Sequence, residues 1–456
     1  MSLFTDFYEL TMCASYFDNK DFELATFDLF IRRLPENRSY FLFAGLEEAL
    51  QYLETIKFTE EQLAYLKKHG FKWDFLDYLR CFRFTGEVWA VPEGTVTFPN
   101  EPLIRITAPI IEAQLVETFL LNTVNLQTMI ATKASRVVHA AKGKSVIEFG
   151  LRREQGIDAG MKVARSSYIA GCQGTSNVLA GQTYDIPVFG TMAHSFIMSY
   201  PKEIDAFRAF SKTFPNKSTL LIDTYNDISG AEKAAIVAKE LEAKGFRLGG
   251  VRLDSGDLTE DSKKVRKILD DRGLAYVKIF VSGDLDEFKI HELLANGAKI
   301  DSFGVGTKMG TSADKPYLDV IYKLCETIAE DGKSLPIMKL SKDKITLPGR
   351  KQVYRSKNKI GEYEKDIIAL AEEKVKGEPL LMKVMEKGKI IYKLPSLNEI
   401  RANTEKNLAK LPDGYKALTA APTYPVEISK KLQNLIKTLT HQLTANEING
   451  ATKTQD

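Results

Sequence analysis

Cysteine, histidine and net charge are all scarce in this chain of 456 residues, and each scarcity removes a class of function. The four cysteines, Cys13, Cys81, Cys172 and Cys325, stand far apart and show none of the paired spacings of a zinc site, so they read as free thiols in a reducing compartment. Basic and acidic residues nearly cancel, 63 against 60, leaving a formal net charge of +3. So interleaved a set builds no basic stripe for nucleic acid, and any anionic ligand must be held by local groups. No apolar run approaches the roughly 20 residues that span a bilayer. Residues 1–13 carry Asp6 and Glu9 and lack the basic and apolar stretches of a signal peptide. The expectation is a cytoplasmic protein without a nucleic-acid or membrane partner.

The length exceeds what one core usually supports, so one large domain and one or two smaller ones are expected. An N-terminal α/β lobe is assigned to residues 1–120, with a helix within 5–18, a strand at 25–33, helices at 45–53 and 59–68, and a β-rich stretch from 82 to 108. A long helical stretch from 112 to 129 leads through Thr132-Lys133 into a second helix ending near Gly143. Strands then alternate with helices: strands at 146–150, 186–190, 219–223, 249–253, 277–281 and 300–304, helices at about 158–180, 202–213, 228–244, 259–271 and 285–296. That alternation implies parallel strands, and a further strand at 319–324 brings the count close to a closed α/β barrel within 121–330. An open doubly wound sheet would need a glycine-rich turn after its first strand, and none follows residues 146–150. Residues 331–456 carry short strands at 337–341, 344–347, 348–355 and 390–394 that would complete the N-terminal lobe. An amphipathic basic helix at 425–443 and a frayed end from 445 follow.

Each strand of the alternating region ends in charge or glycine, which is where a barrel collects its chemistry. His194, one of five histidines, follows the 186–190 run at once, between small and hydroxyl residues. A lone histidine is more often a hydrogen-bonded core residue than a catalyst, but near Asp223 or Asp254 a carboxylate would orient one ring nitrogen and free the other as nucleophile or general base. Arg252 and Asp254, two apart on one strand, face the same way, a guanidinium for an anionic substrate and a carboxylate for a sugar hydroxyl or a hydrated Mg²⁺. An ion pair that merely closes the barrel top would look the same. The turn at Gly304, Gly306 and Thr307, with Gly283 and Asp284 at the preceding tip, allows close approach of backbone N–H groups to phosphate oxygens.

Taken together, T-D-F-Y at 5–8, E-F-G-L-R-R-E-Q-G at 148–156, S-N-V-L-A-G at 176–181, G-T-M-A-H-S-F at 190–196, D-T-Y-N at 223–226, G-V-R-L-D-S-G-D-L at 250–258 and F-G-V-G-T at 303–307 resemble the nicotinate phosphoribosyltransferases. The resemblance runs from Thr5 to about Arg355. It implies an irregular parallel α/β barrel with an N-terminal α/β lobe, and a homodimer with active sites at the subunit interface. It also implies a reaction: nicotinate and phosphoribosyl pyrophosphate give nicotinate mononucleotide and pyrophosphate, coupled to ATP hydrolysis through phosphorylation of His194. Tyr8 and Phe149 would enclose the pyridine ring, Arg152, Thr191, Ser195 and Arg252 would contact substrate, and the turn with Thr307 would take the 5′-phosphate. Physical chemistry is consistent with these roles. Departure of pyrophosphate from C1 leaves an oxocarbenium-like sugar that Asp254 would steady, while Mg²⁺ and Arg252 would steady the leaving polyanion. A nicotinamide-specific enzyme of the same architecture is the near alternative. A metabolite-binding regulatory barrel would not need His194, Arg252 and Asp254 together, and an aldolase would need a Schiff-base lysine within the barrel.

Overall fold

The computed structural model describes residues 1–329, 331–341 and 346–449. It divides into two units, Met1–Met129 with Tyr317–Asp456, and Ile130–Pro316. In the first, a seven-stranded sheet runs in the order Ser334–Pro336, Val320–Ile328, Leu24–Ile31, Pro102–Pro109, Glu87–Ala90, Met382–Glu386, Lys389–Ile390. Leu24–Ile31 pairs antiparallel on both sides. Its alternation points Phe27 at Tyr322, and the two rings stack with centroids 4.7 Å apart. A second sheet of the same unit orders Glu378–Pro379, Lys351–Lys357, Tyr363–Leu370 and Val426–Ile428.

Several expectations are corrected here. The apolar run at 319–324 is not a barrel strand: as Val320–Ile328 it lies antiparallel beside Leu24–Ile31, because its partner is chosen by a distant part of the chain rather than by the neighbouring βα units. Residues 82–84 form no strand, since the helix Trp73–Cys81 ends on Phe82. No strand occupies 337–341, and positions 342–345 lie outside the described residues. The helix expected over 425–443 begins only at Lys430, capped by Ser429, after Val426–Ile428 has paired with Tyr363–Leu370. Helix Glu117–Ala140 runs through Thr132 and Lys133 unbroken.

The second unit holds the alternating region. Its six strands are parallel, in the order Gly174–Thr175, Ser145–Glu148, Ser302–Val305, Lys278–Val281, Gly250–Leu253, Thr219–Leu221. Val251, Leu253, Ile279, Val281, Phe303 and Val305 are buried, as expected of a parallel sheet covered by helices. The run expected as a strand at 186–190 is reduced to a single parallel bridge, Val188 to Thr175, with Pro187 unable to donate to a longer ladder. The helix expected over 158–180 is two helices, Ile157–Ile169 and Val178–Tyr184, with Gly174–Thr175 between them. Strand is followed by helix at one end of the sheet, and after three of the strands a side chain caps the helix: Asn226 accepts from the Ser229 N–H, Asp257 from Thr259 and Glu260, Asp286 from Lys289. These caps keep the connecting turns short and fix where the residues between strand and helix point. Among the described residues no helix is long and apolar enough to cross a membrane.

Candidate active site

Arg252 sits on strand Gly250–Leu253 with its side chain 17% exposed, and every nitrogen of its guanidinium has work. Nε donates to the Ser282 hydroxyl at 2.8 Å, one terminal nitrogen to Thr191 Oγ1 at 3.0 Å, and the other to Asp254 Oδ1 at 2.7 Å. Its carbon lies 5.8 Å from the centroid of the Phe149 ring. Tips of three separate segments are thus tied by one planar fork. Ser282 also donates to Asp254 Oδ1. Burial pushes the Asp254 carboxyl upward, but the Ser282 hydrogen bond and the Arg252 charge outweigh it and hold the group below the usual aspartate range.

Asp223, at the end of strand Thr219–Leu221, acts one step behind. Its Oδ2 accepts from the backbone N–H of Asp254 at 2.7 Å and from the Ser255 hydroxyl at 2.9 Å, so it fixes the turn that carries Asp254. His194 opens the short helix His194–Met198. Its Nδ1 is 3.1 Å from Thr224 Oγ1, and its Nε2 is 3.9 Å from Asp254 Oδ2. The imidazole is therefore oriented by a hydroxyl on one side and faces a carboxylate on the other, with 41% of the side chain exposed.

Two cavities open here. One, of about 280 Å³, is walled on its far side by Gly283, Asp284, Gly304, Gly306 and Thr307. The other, of about 380 Å³, is walled by Gly190, Thr191, His194 and Leu221. Phe149, Arg152, Arg252 and Asp254 line both. Glycine is required at the first cavity for room: at Gly283, where φ is +99°, a Cβ would stand 2.0 Å from the Asp254 carbonyl, and at Gly306 it would stand 2.8 Å from the Phe149 carbonyl.

Most of the residues singled out in the sequence thus meet in one place. Three do not join them in the same sense. Ser195 is exposed on the short helix and outside both cavity walls, Asp223 supports Asp254 from behind, and Tyr8 belongs to the other unit, half-exposed on helix Phe7–Asn19. Asp284 is in the wall, but its carboxylate pairs with Lys308 at 3.1 Å. Residues the sequence reading passed over include Ser282, which locks Arg252 to Asp254, and Thr224, which orients His194; each stands beside a residue already singled out. No group of three or more His, Cys, Asp or Glu side chains among the described residues is arranged to hold a metal ion. Asp254 Oδ1 is already taken by Arg252 and Ser282. The residues present do not fit a resident Mg²⁺.

Residues 145–365 match the model of the nicotinate phosphoribosyltransferase family, 3–125 that of its N-terminal domain and 374–436 that of its C-terminal domain. The chain is 45% identical to a nicotinate phosphoribosyltransferase of Mycobacterium tuberculosis over 99% of its own length and 96% of that protein's. It is 42% identical to the one of Bacillus subtilis, covering 94% and 93%. Its fold matches the crystal structure of human nicotinic acid phosphoribosyltransferase with a TM-score of 0.84 at 29% identity, over 95% of this chain and 99% of that one. A nicotinate-nucleotide pyrophosphorylase of Pyrococcus furiosus matches with a TM-score of 0.73, also at 29% identity, over 90% and 95%. The chain is an enzyme and belongs to the nicotinate phosphoribosyltransferase family.

Proposed function

We propose that the enzyme transfers the phosphoribosyl group of phosphoribosyl pyrophosphate to nicotinate, forming nicotinate mononucleotide for NAD biosynthesis, and that it couples this to ATP hydrolysis through a phosphohistidine at His194. The observation that carries the reading is the pair of cavities joined over Phe149, Arg152, Arg252 and Asp254. A substrate with a phosphate at one end and a transferable C1 at the other needs two such compartments. The glycine-walled one takes the 5′-phosphate on backbone N–H groups around Gly306 and Thr307. At the junction Phe149 stacks on the pyridine, and the arginines answer its carboxylate. The pyridine nitrogen attacks C1, the C1–N bond forms as the C1–O bond to pyrophosphate breaks, and Asp254 stabilises the cationic sugar between them. Mg²⁺ enters on the pyrophosphate, as part of the substrate.

With Nδ1 engaged by Thr224, Nε2 of His194 is the nitrogen left to attack the γ-phosphorus of ATP. The N–P bond forms, the bond to the ADP oxygen breaks, and water later cleaves N–P to release phosphate. A dianion beside Asp254 changes the charge of the compartment, and its hydrolysis resets it. The ends of the sheet support reading it as an irregular barrel, since His194, a few residues beyond the Val188 bridge, reaches Thr224, just past the strand at the opposite edge. We read the working form as a cytoplasmic homodimer, with Ser195 contacting substrate only there.

The test is release of pyrophosphate and ADP with nicotinate as acceptor, together with labelling by [γ-³²P]ATP. His194→Ala should take no label and lose ATP stimulation. A variant that still labels overturns the role of His194, and preference for nicotinamide in direct competition overturns the acceptor.

A further inference from the structure

Behind the wall that carries Phe149 and Arg152 lies a second carboxyl arrangement which the reaction above does not use. Glu148 is buried at the end of strand Ser145–Glu148. Its Oε2 accepts from the Thr175 hydroxyl at 2.5 Å, and its Oε1 accepts from the Gly150 N–H. Glu154, just past the turn Leu151–Arg153, has both carboxyl oxygens buried without a donor among the described residues. Its carboxyl faces that of Glu148: a Cβ at Gly150 would lie 2.6 Å from Glu154 Oε1 and 3.0 Å from Glu148 Oε1. Two ionised carboxylates are acceptors only, and facing each other out of water they repel. A shared proton resolves the contact, and Glu148 already has two donors of its own, so the proton sits on Glu154.

Around Glu154 the chain has left room. Helix Ile157–Ile169 meets it with Gly160, whose Cβ would come within 3.2 Å of Oε2, and the segment after Thr307 meets it with Gly310, whose Cβ would come within 2.7 Å of Oε1. The cations of these elements are turned to other tasks: Arg152 and Arg153 line the glycine-walled cavity, and Lys308 pairs with Asp284 and Asp286. Lys162 pairs with Asp158.

We propose that Glu154 is a positioning residue: its protonated carboxyl donates to Glu148 and clasps the turn bearing Phe149 and Arg152 against the segment that binds the 5′-phosphate. The ligands of those groups rest on the function proposed above, whereas the clasp itself does not. Burial, then the charge of Glu148, raises the Glu154 carboxyl from its ordinary value to about 9. The folded chain therefore keeps a proton that the unfolded chain releases near 4.5. Stability from the clasp is full below that value, declines as pH rises toward 9 and levels off beyond.

Two measurements on the full chain test this. In the first, thermal unfolding without ligand is followed from pH 5 to 10 for wild type, Glu154→Gln and Glu154→Asp. The glutamine replaces the O–H donor by an N–H donor of the same reach, so its unfolding midpoint should fall with pH less steeply than that of wild type. The aspartate is a methylene too short and should be the least stable of the three at pH 6. In the second, kcat and KM for phosphoribosyl pyrophosphate are measured over the same range. In wild type KM should rise on the order of tenfold above pH 9 as the turn loosens, with kcat less affected, and in Glu154→Gln that rise should be absent. An equal pH slope in wild type and Glu154→Gln, or an aspartate variant as good as the glutamine, overturns the clasp. If the enzyme fails to use nicotinate, the function falls while the unfolding series still decides the clasp.

Discussion

Arg252–Asp254 and Arg355–Asp366 are the same pair of side chains put to opposite uses. Arg355 and Asp366 face each other across the ladder of Lys351–Lys357 and Tyr363–Leu370, with side chains 2% and 0% exposed. The pair is enclosed by the fold: Arg355 also donates to the Val96 carbonyl and lies over the Tyr363 ring at 4.4 Å, while Tyr424 donates to Asp366. At Arg252–Asp254 the carboxylate is 31% exposed, one oxygen is held by Arg252 and Ser282, and the other looks past His194 into a cavity. Pairing alone therefore does not mark a site. What separates the two is a face of the pair left open to a ligand in a place where its geometry is fixed by third parties.

Breaking each pair should separate the two roles. Asp366→Ala strips a buried guanidinium of its hydrogen-bonded counter-charge, leaving only the buried Glu101 carboxyl nearby, and should cost up to roughly 3–5 kcal/mol of stability. The denaturation midpoint in urea reads it, and turnover per folded molecule should be unchanged. Arg252→Lys is the next largest effect. An ammonium cannot span Ser282, Thr191 and Asp254 together, so kcat/KM should fall by about 10²-fold or more, while stability changes by under about 1 kcal/mol. A lysine variant with near-normal kinetics would mean that Arg252–Asp254 is structural after all, of one kind with its buried counterpart.

The sequence made one side of this comparison legible and not the other. Arg252 and Asp254 are two apart on a short apolar run, and the period of a strand places both on one face without further information. The alternating region could likewise be followed because short apolar runs recur between stretches of helical spacing, both of them local patterns. Arg355 and Asp366 carried no comparable signal, because what defines their role is a cross-strand register and a set of aromatic neighbours contributed by remote segments. The same limit explains Val320–Ile328, whose apolar pattern states that it is a strand but not which sheet receives it. It also explains Gly174–Thr175, a strand of two residues created by partners at Ile147–Glu148 and Val188 rather than by its own sequence. Within the site, Ser282 and Thr224 are small hydroxyl residues of common type, and only their contacts with Arg252 and His194 single them out.

Lys323–Glu117 lies between the two extremes and gives the smallest effect. The lysine is 43% exposed, the glutamate 9%, and they stand 3.7 Å apart, while Gln114 donates to Glu117 at 3.1 Å and to Glu9 at 2.5 Å. Burial raises the Glu117 carboxyl to about 7; Lys323 works against that rise and the charge of Glu9 adds to it. The folded chain thus holds this proton after the unfolded chain has released it near 4.5, so the contribution is complete below that value and is lost as pH rises toward 7. One proton corresponds to a slope of at most about 1.4 kcal/mol per pH unit, and the exposed lysine should reduce the total loss to on the order of 1–2 kcal/mol. Urea denaturation of wild type and Glu117→Gln between pH 4.5 and 7.5 reads it. The glutamine variant should flatten that part of the curve, and parallel curves would place Glu117 with the fully exposed pairs whose protons do not matter to the fold.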